Sequence, residues 1–357
     1  MGFELKKYTA PDFTKEPFVS APDAVLAPAP KDRTAPENYH ATTIFPEYFK
    51  VNGTWLLAEE SRMDCVAVYE NGKIAVREFR TLKQGDLVFV GRTEEAEEGI
   101  FVWTHGFEEP GTQSKEAFSF RQGRSRETAF SKDYDHIYDL LKHEKDHGYV
   151  VWVMGPACAF DSDSREAFSK LVMNGYVNAL ATHDLEGAYR KTALGQDIYT
   201  QESFPGGHYN HIDTINRVRY HGSIPEFIEK EHIDNGIMYS CVKKGVPFVL
   251  TGSIRDDGPL PEVYADVYEG QSAMRECVKK ATTVICMATT LHSIATGNMT
   301  PSFRVMPDGT IRQIYFYSVD ISEFAVNKLG DRGSLSAKSI VTNVQDFVVN
   351  VSKGLGL

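Results

Sequence analysis

The chain has 357 residues, 42% of them hydrophobic, and a formal net charge of −11 at pH 7. This length favours two domains rather than one, and the acidic charge argues against nucleic acid as a partner, since a phosphate backbone would be repelled. No apolar run approaches the roughly 20 residues that a membrane span needs, and the first residues contain no signal-peptide h-region. We therefore predict a cytoplasmic protein that binds neither nucleic acid nor a membrane.

The cysteine and histidine patterns do not predict a metal site. The five cysteines are odd in number and lack ligand spacing, which favours reduced structural thiols. His208 and His211 are followed by Asp213, but the favoured helical metal pair is four residues apart and no HExxH occurs. We predict no bound metal.

Residues 1–38 are rich in proline and are predicted to form an extended arm or linker, because proline lacks the backbone N–H and has a fixed φ. Such an arm either wraps a neighbouring subunit, which would make the protein a homo-oligomer, or forms a disordered tail.

Residues 39–130 are predicted to form a small antiparallel β-rich domain. Short alternating runs such as DCVAVYE and KIAVREF are separated by Asn-Gly or Gln-Gly pairs. The Asn71-Gly72 pair between those two runs is the strongest hairpin signal, since both residues tolerate a positive φ.

Residues 131–357 are predicted to form the larger, ligand-binding domain. Helical spacing in DYDHIYDLLKHEKDHG is followed by the continuous apolar run VVWVMGPA, and further apolar runs occur at 247–251, 283–288, 314–320 and 339–342. Continuous apolar strands separated by helices indicate a parallel sheet covered on both faces. The predicted fold class is α/β, a Rossmann-like doubly wound parallel sheet preceded by the small antiparallel β domain.

Ligands of such a sheet bind beyond the carboxyl ends of its strands, and the stretch FVLTGSIRDDGPLPEV leaves a predicted strand at that edge. Arg255 can hold a carboxylate or phosphate bidentately, while Asp256 and Asp257 can accept from an ammonium or a ribose diol. The alternative is a solvated turn with an internal Arg-Asp pair.

Polar and small residues also follow other predicted strands. Gly155 and Pro156 precede a cluster from Asp161 to Ser164, which we interpret as a helix cap. His292 follows another strand, and Asp320 ends one, where an acid often takes the ribose hydroxyls of a dinucleotide. No GxGxxG occurs, so the standard fingerprint does not support the dinucleotide hypothesis.

Two histidine segments could carry out proton transfer. His183 adjoins Asp184, and His211 lies in a segment that opens with two glycines. A histidine or aspartate near a redox centre can exchange protons at neutral pH. Capping and packing are the alternative roles.

Several long segments resemble one family together. THDLEGA, GGHYNHIDTINRVRYHGSI, NGIMYSCVKKGVPFVLTGSIRDDGPLPEV, ATTLHSIATGNMTPS and VDISEFAVNKLGDRGS are similar to the archaeal-type ornithine cyclodeaminases. That family also supplies the C-terminal region of the bifunctional arginine dihydrolase/ornithine cyclodeaminase, and contains a lysine-oxoglutarate reductase/saccharopine dehydrogenase-like conserved domain. The resemblance begins near Ala29 and continues to the C-terminus.

The resemblance implies a bound NAD and conversion of ornithine, or a related basic amino acid, to a proline-like cyclic imino acid plus ammonia by internal hydride transfer. The reaction requires a carboxylate anchor and a base. On residue chemistry, the predicted catalytic residues are Asp257, His183 and Asp184, and the predicted substrate-binding residues are Arg255, Asp256 and His211. The predicted cofactor-binding residues are Gly155, Pro156, Asn216, Gly252, Ser253, Ala288, Thr289, His292, Asp320 and Asn343.

The chain departs from the family pattern at the ligand edge. Family members usually read GPAVVHTGG where this chain reads GPACAFDSD at residues 155–163, and they carry an additional segment before Ala181. Residues 304–312 replace a short link and are predicted to form a hairpin or surface excursion. Two alternatives therefore stay open: an amino acid or opine-type dehydrogenase that releases its reduced cofactor, and an NAD- or metabolite-binding homologue without turnover.

Overall fold

The computed structural model describes residues 4–107, 130–252, 260–323 and 335–357. Within the first range, two antiparallel sheets enclose a core that contains Phe49, Phe89 and Ile100. One sheet has the order β1-β6-β4-β5, formed by Val25–Pro28, Leu87–Val90, Val66–Glu70 and Lys73–Arg77. The other has the order β3-β2-β7, formed by Thr54–Leu57, Glu47–Val51 and Ile100–Val102. The predicted antiparallel β unit is confirmed.

Two hairpins of this unit turn on Asn-Gly pairs. Asn71 and Gly72 have φ values of 51° and 78° and connect β4 to β5 in register, with Glu70 opposite Lys73. Asn52 and Gly53, with φ of 50° and 75°, do the same between β2 and β3. Two successive left-handed residues give the turn whose twist matches that of the paired strands.

The proline-rich segment packs on the β unit of its own chain, which differs from the expectation of a disordered tail. The buried Lys50 ammonium donates to the carbonyls of Phe18, Val19 and Ala21, at 3.0, 3.1 and 2.7 Å. Phe13 stacks on Trp55 with ring centroids 5.3 Å apart. Strand β1 also lies inside this segment, at a sheet edge where its proline is tolerated.

The larger unit contains a five-stranded parallel sheet of order β18-β17-β14-β8-β9. Residues 247–249 run beside β9, since Val249 donates to the Leu180 carbonyl at 2.8 Å, and lead into β12, which pairs with β13. From β12 to β18 this is the 3-2-1-4-5-6 order of a doubly wound fold, as predicted. The strands are β8 Val150–Met154, β9 Ala179–Ala181, β12 Leu250–Thr251, β13 Val263–Tyr264, β14 Thr283–Met287, β17 Tyr315–Asp320 and β18 Ala337–Val341.

Helices cover both faces of this sheet. Trp152 points into a core shared with Phe168 and Phe347, whereas its neighbours Val151 and Val153 join Val284 in a second core on the opposite face. The helices are α1 Ser131–His147, α2 Ser162–Met173, α3 Leu185–Arg190, α4 His208–His221, α5 Ile224–Lys230, α6 Ile237–Lys244, α7 Val267–Val278, α8 Thr290–Met299 and α9 Val344–Gly354. Burial on both faces explains why the strands are continuously apolar.

Two short hairpins extend from this framework. Strands β10 (Thr192–Ala193) and β11 (Gln196–Asp197) lie between α3 and α4. Strands β15 (Phe303–Val305) and β16 (Ile311–Gln313) form the hairpin predicted near residues 304–312. No helix in the described ranges has both the length and the apolarity that a membrane span requires.

Candidate active site

The carboxyl ends of the parallel strands lie at one edge of the sheet. The order of the strands reverses between β8 and β14, so the crevice between their carboxyl ends is the topological switch point. Gly155 follows β8, Ala288 follows β14, and Asp320 closes β17. The structure therefore brings three of the predicted cofactor-binding residues to the edge where a doubly wound fold binds its ligand.

Gly155 and Ala288 are in direct contact at this switch point. The Gly155 amide donates to the Met287 carbonyl at 2.7 Å, and a Cβ added at Gly155 would lie 1.9 Å from the Ala288 carbonyl oxygen. Ala288 has a φ of 51°, an uncommon conformation for alanine, and its amide is held by the Val319 carbonyl at 3.0 Å. Only glycine fits at position 155, because the two loops leave no room for a side chain.

The N-terminus of α2, which follows this glycine, is already capped. The Asp161 carboxylate accepts from the amides of Asp163 and Ser164, at 3.1 and 3.0 Å. The Ser162 amide donates to the Ile198 carbonyl at 3.0 Å. With these three amides engaged and two carboxylates in place, this helix end does not fit a pyrophosphate.

The N-terminus of α8, beyond β14, has the opposite character. Its first turn contains no acidic residue, and among the described residues no side chain caps it. Thr290 and Leu291 are exposed there, and the Thr289 hydroxyl lies 3.0 Å from Nδ1 of His292. An open helix N-terminus with nearby hydroxyls suits an anion, so this end fits the pyrophosphate of a dinucleotide.

The last two strands place Asp320 and Asn343 at the same edge. One Asp320 carboxylate oxygen accepts from the Ser322 amide at 2.8 Å, which fixes the direction of the carboxylate. The Asn343 side-chain oxygen caps α9 through the amides of Gln345 and Asp346, at 2.8 and 3.2 Å. Any further contact of Asn343 must therefore use its NH₂ group.

Asp184 lies in a buried ion pair. Its side chain has no exposed surface, and it accepts from Arg165 Nε at 2.9 Å and from the amides of Ile237 and Met238, at 2.9 and 3.0 Å. The pair is tightly enclosed, since a Cβ at Gly236 would lie 2.8 Å from both partners. These contacts cap α6 and fix the turn that carries the half-buried His183, so the geometry gives Asp184 a positioning role.

His211 and Asn216 both lie on α4, on different faces. The Nδ1 atom of His211 is 3.3 Å from Glu186 Oε2, and this hydrogen bond raises the pKa of the histidine. Asn216 is exposed and, five residues on, lies about 140° around the helix. The described contacts do not place these two residues together, and their predicted roles in substrate and cofactor binding stay predictions.

The predicted substrate loop follows β12. Ser253, Arg255, Asp256 and Asp257 lie outside the described residues. Gly252, just before them, donates to the Tyr264 carbonyl at 2.9 Å, which ties the end of β12 to β13.

Sequence reasoning missed the residues that support the site from a distance. Gln345 Nε2 donates to the Ala157 carbonyl at 3.0 Å, and Gln201 Nε2 donates to the Phe160 carbonyl at 3.1 Å. Arg165, the partner of Asp184, also gave no signal. Each is an ordinary helix or loop residue whose partner is far away in the sequence, so local patterns could not reveal it.

Comparison with known proteins is consistent with this geometry. A model of the C-terminal Rossmann-fold region of ArgZ-like arginine dihydrolases matches residues 136–351. The ornithine cyclodeaminase of Methanopyrus kandleri is 37% identical over 362 residues, which cover 99% of this chain and 82% of the relative.

Two solved structures share the fold. A conserved LOR/SDH protein from Methanococcus maripaludis S2 superposes with a TM-score of 0.83 at 34% identity, covering 94% of this chain and 98% of that one. The AgrE protein in its ternary complex with ornithine and NAD⁺ has a TM-score of 0.59 at 32% identity, covering 94% of this chain and 46% of AgrE. By these matches, the chain belongs to the ArgZ-like C-terminal family, together with the archaeal ornithine cyclodeaminases.

Proposed function

We propose that this protein is an NAD-dependent ornithine cyclodeaminase, which converts ornithine or a related basic amino acid to a proline-like cyclic product and ammonia. The observation that carries the proposal is the switch point, where Gly155 meets Ala288 and where no described side chain caps the N-terminus of α8. Relatives with this activity, and one structure with ornithine and NAD⁺ bound, support the choice of substrate and cofactor.

The residues present fit a dinucleotide in one half of the crevice. The amides at the start of α8 and the Thr289 hydroxyl would hold the pyrophosphate, and the Asp320 carboxylate would accept from ribose hydroxyls. NAD supplies an acceptor and donor of hydride, so that oxidation and reduction can balance within one turnover.

For the amino acid, we propose that His183 exchanges protons with the substrate amines. It follows β9 at the ligand edge, and the buried Arg165–Asp184 pair beside it fixes its backbone. Arg255 is proposed as the anchor of the α-carboxylate and Asp256 and Asp257 as partners of the amines, on their residue chemistry.

We also propose a cytoplasmic homo-oligomer. The five cysteines are unpaired, as expected in a reducing compartment, and burial raises the pKa of Cys158, Cys241 and Cys286 to about 12, so these thiols stay protonated. An exposed apolar surface on α4 supports self-association.

The test is turnover with ornithine, lysine and 2,4-diaminobutyrate in the presence of NAD⁺. We expect proline and ammonia to form in equal amounts from ornithine, without accumulation of NADH. Accumulating NADH with an oxo acid would instead establish a dehydrogenase, and bound NAD without turnover on any of the three would establish a non-catalytic homologue. Failure to bind NAD would overturn the dinucleotide site.

Gly155→Ala tests the site itself. Because the new Cβ would overlap the Ala288 carbonyl, the β8 loop must move, and we expect NAD affinity to fall by at least tenfold in isothermal titration. The control is Gly175→Ala, where a Cβ meets nothing within 4 Å and only the positive φ is strained, at a cost of about 1 kcal/mol in stability. Equal NAD affinity in the two variants would contradict the assignment.

A further inference from the structure

A group of large apolar side chains between β10 and the end of α4 is exposed. Each is more than half exposed, from 51% for Phe204 to 75% for Tyr220. We call this the hairpin–α4 surface, and it consists of Leu194, Tyr199, Phe204, Tyr209, Ile212 and Tyr220. A large aromatic side chain has roughly 150–250 Å² of surface, so together these residues expose several hundred Å² of apolar area, more than the patches usual on monomers.

Backbone contacts bring the hairpin and the helix together. The Phe204 amide donates to the Gly195 carbonyl at 2.7 Å, and a Cβ at Gly207 would lie 2.6 Å from Gly195 Cα. Leu194 at the hairpin tip and Phe204 are therefore beside the start of α4. Along α4, Tyr209 and Tyr220 are eleven residues apart, which returns them to the same face about 16 Å away, with Ile212 between them.

The charge pattern of this region differs from that of the whole chain. Residues 186–221 carry four basic residues and four acidic ones, whereas the whole chain has a net charge of −11. If two copies met at most other places on their acidic surface, the contact would bring like charges together, which costs free energy. The hairpin–α4 surface avoids this cost, because its charges are balanced.

We propose that the hairpin–α4 surface is the two-fold interface between two copies of this chain, with α4 packed antiparallel against its own copy. The exposed apolar area, several hundred Å², is a large share of the roughly 800 Å² that each partner contributes to a standard interface. In this arrangement Tyr209 of one protomer lies near Tyr220 of its partner, and Asn216 lies close to the two-fold axis. The proposal rests on the proposed homo-oligomer and specifies its surface.

This interface would adjoin the candidate active site. The loop that follows β11 contacts the N-terminus of α2 through the Ile198 carbonyl and contacts the Phe160 carbonyl through Gln201. Two copies that pack on the hairpin–α4 surface would thus hold this loop against the loop that follows β8.

Light scattering of the full chain after size-exclusion chromatography tests the proposal without requiring turnover. We expect wild type to be a dimer or a multiple of one, and the double variant Ile212→Lys/Tyr220→Lys to dissociate with a Kd at least tenfold higher. Since both side chains are exposed in the protomer, far-UV circular dichroism should stay unchanged. Val19→Lys, at a position 57% exposed outside this surface, is the matched control and should remain associated.

Cross-linking tests the symmetry. Asn216→Cys should give covalent dimers with a short bismaleimide, because residue 216 of one copy meets residue 216 of the other at the axis. Ala295→Cys, at an exposed position of α8, is the control and should not give them. A monomeric wild type would overturn both the interface and the homo-oligomer. An oligomer that tolerates both lysine substitutions, or a cross-link equally strong at residue 295, would overturn the interface alone.

Discussion

At the scale of single residues, a buried carboxylate has a different role from an exposed one. Asp184 neutralises Arg165 and caps α6, and neither side chain of the pair is more than 4% exposed. A carboxylate held by three donors from two other elements is fixed in position. We therefore assign its effect on the reaction to the placement of His183.

Asp184→Asn separates positioning from proton transfer. Loss of the charge leaves Arg165 buried and unpaired, so we expect the free energy of unfolding to fall by about 3–5 kcal/mol in urea titration. Asp213→Asn, which breaks an exposed pair with Arg190, should cost less than about 1 kcal/mol. A stable Asp184→Asn protein with strongly reduced kcat and a lost limb of the pH–rate profile would instead show a catalytic carboxylate.

The Glu186–His211 pair predicts a pH dependence of stability. The hydrogen bond to Glu186 raises the pKa of His211 in the folded state, so its stabilisation is fully present below the unfolded pKa of about 6.5. It is lost as the pH rises through the folded value. In urea titrations at pH 5.5, the free energy of unfolding of wild type should exceed that of His211→Gln by less than about 1 kcal/mol, since His211 is half-exposed. This difference should vanish at pH 8.5. A difference that grows with pH would contradict this pairing.

At the scale of secondary-structure elements, α2 and α8, the two helices that flank the switch point, differ at their N-termini. The α2 N-terminus is occupied by Asp161 and by the Ile198 carbonyl, whereas α8 starts without an acid or a side-chain cap among the described residues. The helix dipole favours an anion at the N-terminus of each helix, so the difference between α2 and α8 comes from the groups that already occupy the α2 N-terminus. The cofactor pyrophosphate should follow β14 rather than β8.

Leu291→Glu tests this assignment. A carboxylate in the exposed first turn of α8 would repel the pyrophosphate, and we expect NAD affinity to drop by about tenfold at low ionic strength, with a smaller drop at high salt. Ala295→Glu places the same charge one turn further along the helix, where the dipole effect has faded, and should change affinity far less. If the two variants bind NAD alike in fluorescence titration, α8 does not hold the phosphates.

At the scale of the whole molecule, one charge cluster joins the β unit to the parallel sheet. Glu78 pairs with Arg62, with Arg80 at 2.6 Å and with Arg275 of α7 at 2.7 Å. Arg62 also donates to the Asn298 carbonyl of α8 at 2.7 Å. Burial opposes ionisation of Glu78, but the guanidinium groups of Arg275, Arg62 and Arg80 hold its pKa below the ordinary value. The carboxylate therefore stays charged and links the two units.

Glu78→Gln should uncouple these units. With the carboxylate gone, three guanidinium groups face one another without neutralisation, and we expect a loss of about 3–5 kcal/mol, together with two resolved transitions in differential scanning calorimetry. Glu70→Gln, which breaks a more exposed pair with Arg77 in the same β unit, should leave one transition at nearly the wild-type temperature. A single, unshifted transition for Glu78→Gln would show that other contacts join the units.

The sequence alone determined the features that depend on near neighbours. Continuous apolar runs specified a parallel sheet because its strands are buried on both faces, and the Asn71-Gly72 pair specified a hairpin because both residues accept positive φ. The Asp161 cap was also predictable, since its donors are two and three residues away.

Only the tertiary structure decided which of these local features meet. The open helix N-terminus is that of α8 and not that of α2, because the Ile198 carbonyl, 36 residues beyond Ser162, accepts from the Ser162 amide at the start of α2. Asp184 is a buried cap because Arg165 and Ile237 reach it from distant elements. The proline-rich segment packs on the β unit because the Lys50 ammonium donates hydrogen bonds to its carbonyls. Each outcome depends on groups that are far apart in sequence, and these are brought within hydrogen-bond distance only when the sheet and its helices assemble.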